Sequence, residues 1–593
     1  MVKICIIDSG YYKLHPQLNG IRVAETICFS RCDGNITQSF DADDKIGHGT
    51  AITSIVFSCC PAAEFYILKI FDETWECDEE LLVYALHYVY NHIDCDYINI
   101  SSGITMSEKR EEIEQLCCKI KEKNTIIVSA FDNNGAVSYP AALDNVIGVD
   151  SDIQCKTRND FVYVKNSIVN VFGYGNIQRV AWTEPLYMIV SGSSFACAYI
   201  TGLLAAANIK GFYDANQYLE NKAKRIIEFP VPLQNTPSFT IKKAIVFPCN
   251  KETKGLVDHH TTLPFELINI FDIPKLGNVG KKLFSLDERN YMTVKNVKDI
   301  NWEEDFDTVI LGHMCDVDRL IGPEQRKSIV ENCIKHHKNI FSFDKIEKEY
   351  VLDCECSVYY PEATYMDSSF GKLYDICVPV LGVFGTSSKQ GKFTLQLMLR
   401  KMFIDSGYSI GQIGTEPSSF LYGMDETFHF GFNSCFNLSS VTFITYLNHT
   451  LNRLQNNGAE IIIGGCQSNT IPYSINNTRY LNHRQSEFLI GLNPDATILC
   501  INPFDDIAYI ERNVKYIEAL TESKVIAFVL FPLDISDFWT PNYRKRIKQT
   551  DSDNIKLSLQ HKFGIPCYVL GVDGEMIALF NDILDFFGDE KVE

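Results

Sequence analysis

An α/β fold built on parallel sheets is what this 593-residue chain predicts. Three observations carry that prediction. Short apolar runs recur along the whole chain without the strict alternation of a sheet with one wet face. Stretches with helical spacing separate them, so strand and helix alternate. Apolar residues make up 46% and charged residues 22%, a balance that lets a chain of this length bury large cores without disulfide or metal staples. At ~150 residues per domain, three or four domains are expected.

The first segment, 1–228, opens on VKICIID (2–8) and continues with EFYILKI (64–70), YINISS (97–102), TIIVSA (125–130) and NVIGVD (145–150), all of strand length. Between them DEELLVYALHYVYNH (78–92) and EKREEIEQLCCKIKEK (108–123) carry helical spacing. FPVPLQNTPSF (229–239) has three prolines and reads as a junction. A second segment, 240–372, offers strands KKAIVFP (242–248), DTVILGH (307–313) and KNIFSFD (338–344) and the helix GPEQRKSIVENCIKHH (322–337). A third, 373–593, starts on ICVPVLGVFG (376–385) and adds AEIIIGG (459–465), ATILCI (496–501) and KVIAFVLF (524–531).

Composition excludes several classes. A formal net charge of -21 with no basic run disfavours a nucleic-acid partner. The 21 cysteines are odd in number and scattered, which suits reduced buried thiols rather than a disulfide framework. No two-pair C-x-x-C array with zinc spacing occurs. No apolar run approaches the ~18 residues of a membrane span. MVKICIIDSG enters a strand without the features of a secretion leader, so a cytoplasmic protein is expected.

Three strings supply an acid, a base and a nucleophile in the order Asp, His, Ser. IIDSGYYKLHPQL puts Asp8 at the end of the first strand, where a parallel sheet presents functional groups. GHGTAITSIV sets His48 between two glycines that let backbone approach closely, ahead of an apolar stretch that suits a helix. SGSSFACAYITGLLA (191–205) places Ser194 at a helix start, near free N–H groups and positive dipole density. A serine hydroxyl is a weak nucleophile that needs a base, and the base needs an orienting carboxylate. This order is one of three that unrelated serine hydrolases use. Ser193 is the alternative nucleophile.

Together these strings resemble the subtilisin-like serine protease family over roughly residues 1–225. The resemblance implies Asp8 as the acid, His48 as the base and Ser194 in GSSFA as the nucleophile. SAFDNNG (129–135) resembles the family's oxyanion-hole turn and implies Asn133 as the side-chain donor. That turn reads Phe131-Asp132 where the family has Ala-Gly, which keeps Asn134 as the competing assignment. YINISSG (97–103) resembles the strand that pairs with an extended substrate, and implies that Ser101, Ser102 and Gly103 touch the peptide. His15 matches a structural His-Pro of the family. With Asp8 so near the start of the sequence, the family's long inhibitory pro-segment is expected to be absent, as the resemblance implies for intracellular members that mature peptides.

A second constellation lies in GVFGTSSKQGKFTLQLML (382–399), where a glycine-rich turn follows a strand and opens a helix. Gly385, Gly391 and Lys392 can form a loop whose N–H groups cradle phosphates, with Lys392 reaching the terminal ones. Five residues separate the two glycines, and Phe393 and Thr394 follow the lysine. This longer form resembles dethiobiotin-synthetase-like P-loop proteins, including a family that joins the loop to a Rossmann-like domain, over about 240–590. GQIGTEP (411–417) resembles their second-strand segment and implies Glu416 as a metal carboxylate. In IIIGGCQSN (461–469), Gly464 or Gly465 stands where that family has an acid. His259-His260 and His336-His337 are expected to be structural or solvated, and Phe428 and Phe430 to fill core.

The expected architecture is therefore a subtilisin-like parallel-sheet domain (1–228), a Rossmann-like α/β domain (240–372) and a P-loop α/β domain (373–593). The expected activity is that of a cytoplasmic serine endopeptidase cleaving a ribosomally made precursor peptide. Proteolysis itself needs no cofactor, whereas the C-terminal module would bind ATP or another nucleotide with Mg2+. Two other readings fit the chain: an ATP-dependent, ligase-like peptide-modifying enzyme, and a nucleotide-switched recognition protein with a vestigial protease domain.

Overall fold

The computed structural model describes residues 1–589 apart from 33, 72–77, 106, 230–232, 286–289, 348–355, 365–372, 430–437, 477–482, 522 and 535–544. Phe430, part of the 229–239 junction and residue 372 at the second junction lie outside the described residues. The chain divides into two compact units. The first is carried by Met1–Pro230 with Phe370–Leu373, and the second by Val231–Ser369 with Tyr374–Glu593.

The first unit contains strands β1 (Lys3–Asp8), β2 (Arg22–Cys32), β3 (Asn35–Ser39), β4 (Glu64–Lys69), β5 (Tyr97–Ile100), β6 (Ile126–Ala130), β7 (Ile147–Ser151), β8 (Val162–Lys165), β9 (Val171–Gly173), β10 (Gln178–Ala181), β11 (Tyr187–Val190) and β12 (Arg225–Glu228). Its helices are α1 (His48–Cys59), α2 (Glu79–His92), α3 (Arg110–Glu122), α4 (Ser193–Ala206) and α5 (Phe212–Lys222). Ten strands form one sheet in the order β12-β8-β9-β7-β6-β5-β1-β4-β2-β3, while β10 and β11 pair as a separate antiparallel ribbon. The central strands β7, β6, β5, β1 and β4 run parallel.

Alternation along these strands explains their uninterrupted apolar sequence. Ile4, Ile6, Phe65, Ile67, Tyr97, Ile126 and Val128 pack on one face against α1, α4 and α5. Cys5, Ile7, Leu68, Ile98, Ile100 and Ile127 pack on the other against α2 and α3. Both faces are covered, as parallel crossovers require. α2 starts where Asp78 accepts from the N–H of Glu80, with Glu79 and Glu80 in the positive first turn.

The second unit holds two further parallel sheets. One has six strands in the order Lys295–Asn296, Glu266–Asp272, Lys243–Phe247, Thr308–Leu311, Asn339–Ser342, Val358–Tyr359. The other has seven, in the order Glu426–Thr427, Ile410–Gly414, Ile461–Gly465, Val380–Gly385, Ala496–Ile501, Lys524–Leu530, Cys567–Val569. Outward from the strand that comes first in sequence each sheet reverses direction, at Lys243–Phe247 and Val380–Gly385 respectively. Such switch points leave a crevice at the carboxyl ends of the strands. The chain is thus an α/β sheet domain followed by two more α/β sheets. Among the described residues no helix is long and apolar enough to cross a membrane.

Candidate active site

β1 ends on Asp8, 1% exposed, at the carboxyl edge of its sheet. Its Oδ1 accepts from the N–H of Ser9 at 2.7 Å and from Nδ1 of His48 at 2.8 Å. A carboxylate can only accept, so it holds the imidazole as the Nδ1–H tautomer and leaves the lone pair on Nε2. His48 is the first residue of α1, and Gly47 before it takes a left-handed φ of 102°. A Cβ on Gly47 would lie 2.4 Å from Nε1 of Trp182, and one on Gly49 would lie 2.1 Å from the carbonyl oxygen of Gly10. Close approach on both sides therefore requires the two glycines that flank the histidine.

Asp44 has no counterpart among the residues singled out from sequence. It is 3% exposed and holds the His48 turn together. Its Oδ1 accepts from the N–H groups of Ile46 (3.0 Å) and Gly47 (2.8 Å) and from the Ser9 hydroxyl (2.9 Å). Its Oδ2 accepts from the N–H (2.8 Å) and hydroxyl (2.6 Å) of Thr50. The only signal in the chain is an acidic pair, Asp43-Asp44, leading into GHGT. Burial lowers the pKa of His48, but the charge and hydrogen bond of Asp8 and the charge of Asp44 together outweigh it and hold the imidazole above the usual histidine value.

α4 begins beside Asn133. The N–H of Ser193 donates to Asn133 Oδ1 at 2.9 Å, and the Ser193 hydroxyl turns inward to the carbonyl of Phe131. With Oδ1 so engaged, Nδ2 is the end of the amide that can donate. The N–H of Asn134 instead donates to Asp132 Oδ2 at 2.6 Å, within the turn. The Ser194 hydroxyl donates to the carbonyl of Ser101 at 3.0 Å, and the His48 ring lies 5.6 Å from that of the adjacent Phe195. Ser194, His48 and Asp8 thus share one edge of the sheet, although they are far apart in the chain.

Asn99 ties that edge together. Its Nδ2 donates to Ser101 Oγ at 2.7 Å, and its Oδ1 accepts from Thr201 of α4 at 2.8 Å. Ser101, Ser102 and Gly103 then leave β5 beside Ser194, because Ser101 is drawn to α4 rather than to a neighbouring strand. A Cβ on Gly103 would lie 2.6 Å from Ser138 Oγ, so the segment runs tight against the next loop. His15 lies apart from the triad: Nδ1 accepts from the N–H of Gln17 at 3.1 Å, and Nε2 donates to the carbonyl of Leu186 at 2.7 Å.

In the second unit, Gly385, Gly391 and Lys392 come together in the turn between strand Val380–Gly385 and helix Lys392–Asp405. Gly391 has a φ of 75°, and a Cβ there would lie 2.3 Å from Leu570. Lys392 is 6% exposed, and its Nζ donates to the carbonyls of Ser387 (2.6 Å) and Ser468 (2.7 Å). Burial lowers its pKa. An ammonium enclosed by carbonyl dipoles, with no carboxylate bonded to it among the described residues, fits a phosphate as its counter-charge. Phe393 and Thr394 lead away from the loop. Phe393 packs 5.3 Å from the Tyr422 ring, and the Thr394 hydroxyl lies 3.1 Å from Nε2 of His259. Glu416 follows strand Ile410–Gly414, and burial raises its pKa. Among the described residues no group of three or more His, Cys, Asp or Glu is placed to hold a metal ion.

The class of the first unit follows from comparison with known proteins. The model of the Subtilase family, Peptidase_S8, matches residues 1–227. The chain therefore carries a subtilisin-like peptidase domain. Subtilisin NAT of Bacillus subtilis subsp. natto is 24% identical over 219 residues, which is 34% of this chain and 54% of that protein. Subtilisin of Bacillus pumilus is 23% identical over 219 residues, 34% of this chain and 75% of its own. The chain thus covers 54% of the length of the first curated relatives it matches. Among solved structures, the prenylagaramide maturation protease PagA shares 20% identity at a TM-score of 0.28, covering 35% of this chain and 74% of that one. The nisin leader peptidase NisP from Lactococcus lactis shares 17% at 0.30, covering 38% and 85%.

Proposed function

We propose that this chain is a serine endopeptidase that cleaves an extended peptide. The observation that carries this reading is the 2.8 Å bond between Asp8 and Nδ1 of His48 beside Ser194 at the start of α4. Substrate enters along Ser101–Gly103 as an added strand. The Ser194 hydroxyl turns from the Ser101 carbonyl to Nε2 of His48, gives up its proton there and attacks the peptide carbonyl. The N–H of Ser194 and Nδ2 of Asn133 stabilise the oxyanion, and His48 returns the proton to the leaving amine. Ser193 is a poorer nucleophile because its hydroxyl is fully buried and bonded inward.

The finer reading is maturation of a ribosomally made precursor peptide in the cytoplasm, with the second unit binding ATP or another nucleotide with Mg2+. Free cysteines among the described residues, with Cys32, Cys118 and Cys377 exposed, suit a reducing compartment. The enclosed Lys392 supports the nucleotide part. The test is labelling with a serine-directed fluorophosphonate and peptide hydrolysis by the full chain. Wild type should react and Ser194→Ala should not; labelling of both, or of neither, sinks the proteolytic reading.

A further inference from the structure

Residues that lie past strand ends of the two parallel sheets of the second unit meet each other. His313 lies just past strand Thr308–Leu311 of the six-stranded sheet, and His429 just past strand Glu426–Thr427 of the seven-stranded one. Their rings stack with centroids 5.7 Å apart and planes 24° from parallel. The His259–Thr394 bond and the packing of Leu256 and Val257 with Leu397, Leu421 and Met424 close the same junction. Both crevices that parallel sheets leave at their strand ends therefore open toward one region. That region holds the phosphate-loop lysine, and Glu416 there interacts electrostatically with Lys251, Glu252, Lys392 and His313.

Within it stands a second histidine–carboxylate pair that the proteolytic reaction does not use. His313 Nδ1 lies 2.7 Å from Asp344 Oδ1, and Asp344 Oδ2 accepts from the N–H of Met314 at 2.7 Å. Asp344 lies just past strand Asn339–Ser342, so two adjacent strand ends present the pair. Burial favours the neutral acid, but the hydrogen bonds from His313 and Met314 and the nearby Arg326 outweigh it, so Asp344 is held ionised. An ionised carboxylate fixes His313 as the Nδ1–H tautomer and puts the lone pair on Nε2, as Asp8 does for His48. The side chain of His313 is 3% exposed, so this proton-accepting arrangement is built into the interior rather than solvated.

We infer that the junction of the two sheets is a second active site, where His313, held by Asp344, deprotonates a hydroxyl-bearing acceptor for phosphoryl transfer from a nucleoside triphosphate seated on the Gly385–Lys392 loop. The inference rests on the nucleotide reading of that loop. A base opposite a phosphate loop selects a hydroxyl over a carboxylate acceptor, since a carboxylate has already lost its proton at neutral pH. His313 Nε2 takes the proton of the acceptor O–H as that oxygen bonds to the terminal phosphorus. The bond from phosphorus to the bridging oxygen breaks, and the nucleoside diphosphate leaves with its electron pair. With water as acceptor the product is orthophosphate.

The test uses the full chain labelled with 13C in its histidine rings, with ATP and its slowly hydrolysed thio analogue as probes. Calorimetry measures binding, NMR follows the His313 titration (assigned by its loss in His313→Gln), and phosphate release follows turnover. Binding of the analogue should raise the His313 midpoint by ~0.5 pH unit or more, because an anion arrives beside the imidazole. His313→Gln should bind ATP within about twofold of wild type and release phosphate at least ~100-fold more slowly. No binding by wild type, with Lys392→Ala unchanged from it, overturns the nucleotide reading and this inference together. Binding with an unmoved His313 midpoint, with no phosphate release, or with wild-type release by His313→Gln overturns this inference alone.

Discussion

Asp44 and Asn133 show how much of this candidate active edge depends on single polar side chains. Asp44 receives five hydrogen bonds from Ser9, Ile46, Gly47 and Thr50. Asp44→Asn retains the shape but turns a donor toward some of these donors, so it should cost about 2–3 kcal/mol of stability, read from the urea midpoint of the first unit. It also removes a charge that raises the pKa of His48. His48 must be neutral to act as a base, so activity falls as pH drops through its pKa. The acid limb of kcat/KM should therefore lie above the usual histidine value in wild type and move to lower pH in Asp44→Asn; a limb that stays in place means Asp44 acts through the fold alone. Asn133→Ala should lower kcat about 100- to 1,000-fold with little change in KM, the range known for the oxyanion asparagine of a subtilisin. Local sequence made Asp8, His48 and Ser194 legible because each sits in a string with its own glycines and small residues. Asp44 was not legible, since its importance comes from buried N–H groups that converge on it only once the turn is folded.

At the scale of elements, the glycines before and after a strand end decide whether helix and sheet can meet. Gly49 lies in the first turn of α1, where an added Cβ would sit 2.1 Å from the Gly10 carbonyl oxygen. The obstacle is backbone and cannot rotate away. Gly49→Ala should destabilise the first unit by about 3 kcal/mol and reduce activity with it, measured by denaturant titration and peptide hydrolysis. Gly255, inside helix Lys251–Asp258, is the contrast, with nothing within 4 Å of an added Cβ. Gly255→Ala should instead stabilise the second unit by roughly 0.5–1 kcal/mol. The strands and helices that periodicity delimits agree with the structure to within one or two residues at most ends, whereas it does not delimit strand Glu266–Asp272 or helices such as Ser440–Asn456 and Ile507–Thr521. Nor does it delimit β2, β3 and β8–β12, because they are short, edge-lying or polar on one face and so lack a continuous apolar run. The apolar run extends the preceding strand through Ser101 and Ser102, but they leave it because the Ser101 carbonyl bonds Ser194 instead of continuing the ladder. The junction of the two sheets in the second unit had no local signature either, since contacts such as His259 with Thr394 join residues 135 positions apart.

At the scale of the whole molecule, two units with separate cores should unfold in two transitions, and ligands should address them one at a time. Lys392 makes this distinction testable. Its ammonium is buried, and burial is the largest influence lowering its pKa below that of a free lysine. The unfolded chain binds that proton more tightly than the folded one, so the charge works against folding at neutral pH, and the cost fades as pH rises toward the ordinary lysine value. A thioether of similar length removes the cost along with two hydrogen bonds to carbonyls. Lys392→Met should accordingly raise the transition of the second unit by about 1 kcal/mol at pH 7 and flatten its dependence on pH in the alkaline range. If the loop binds nucleotide as proposed, ATP at a hundredfold excess over Kd should stabilise wild type by about 2.7 kcal/mol, and the same substitution should abolish that gain. The transition of the first unit should not move in either experiment. A Lys392→Met protein that is less stable at pH 7 would mean the carbonyl contacts of Ser387 and Ser468 outweigh the buried charge, and that the lysine is there to hold the loop rather than to await an anion.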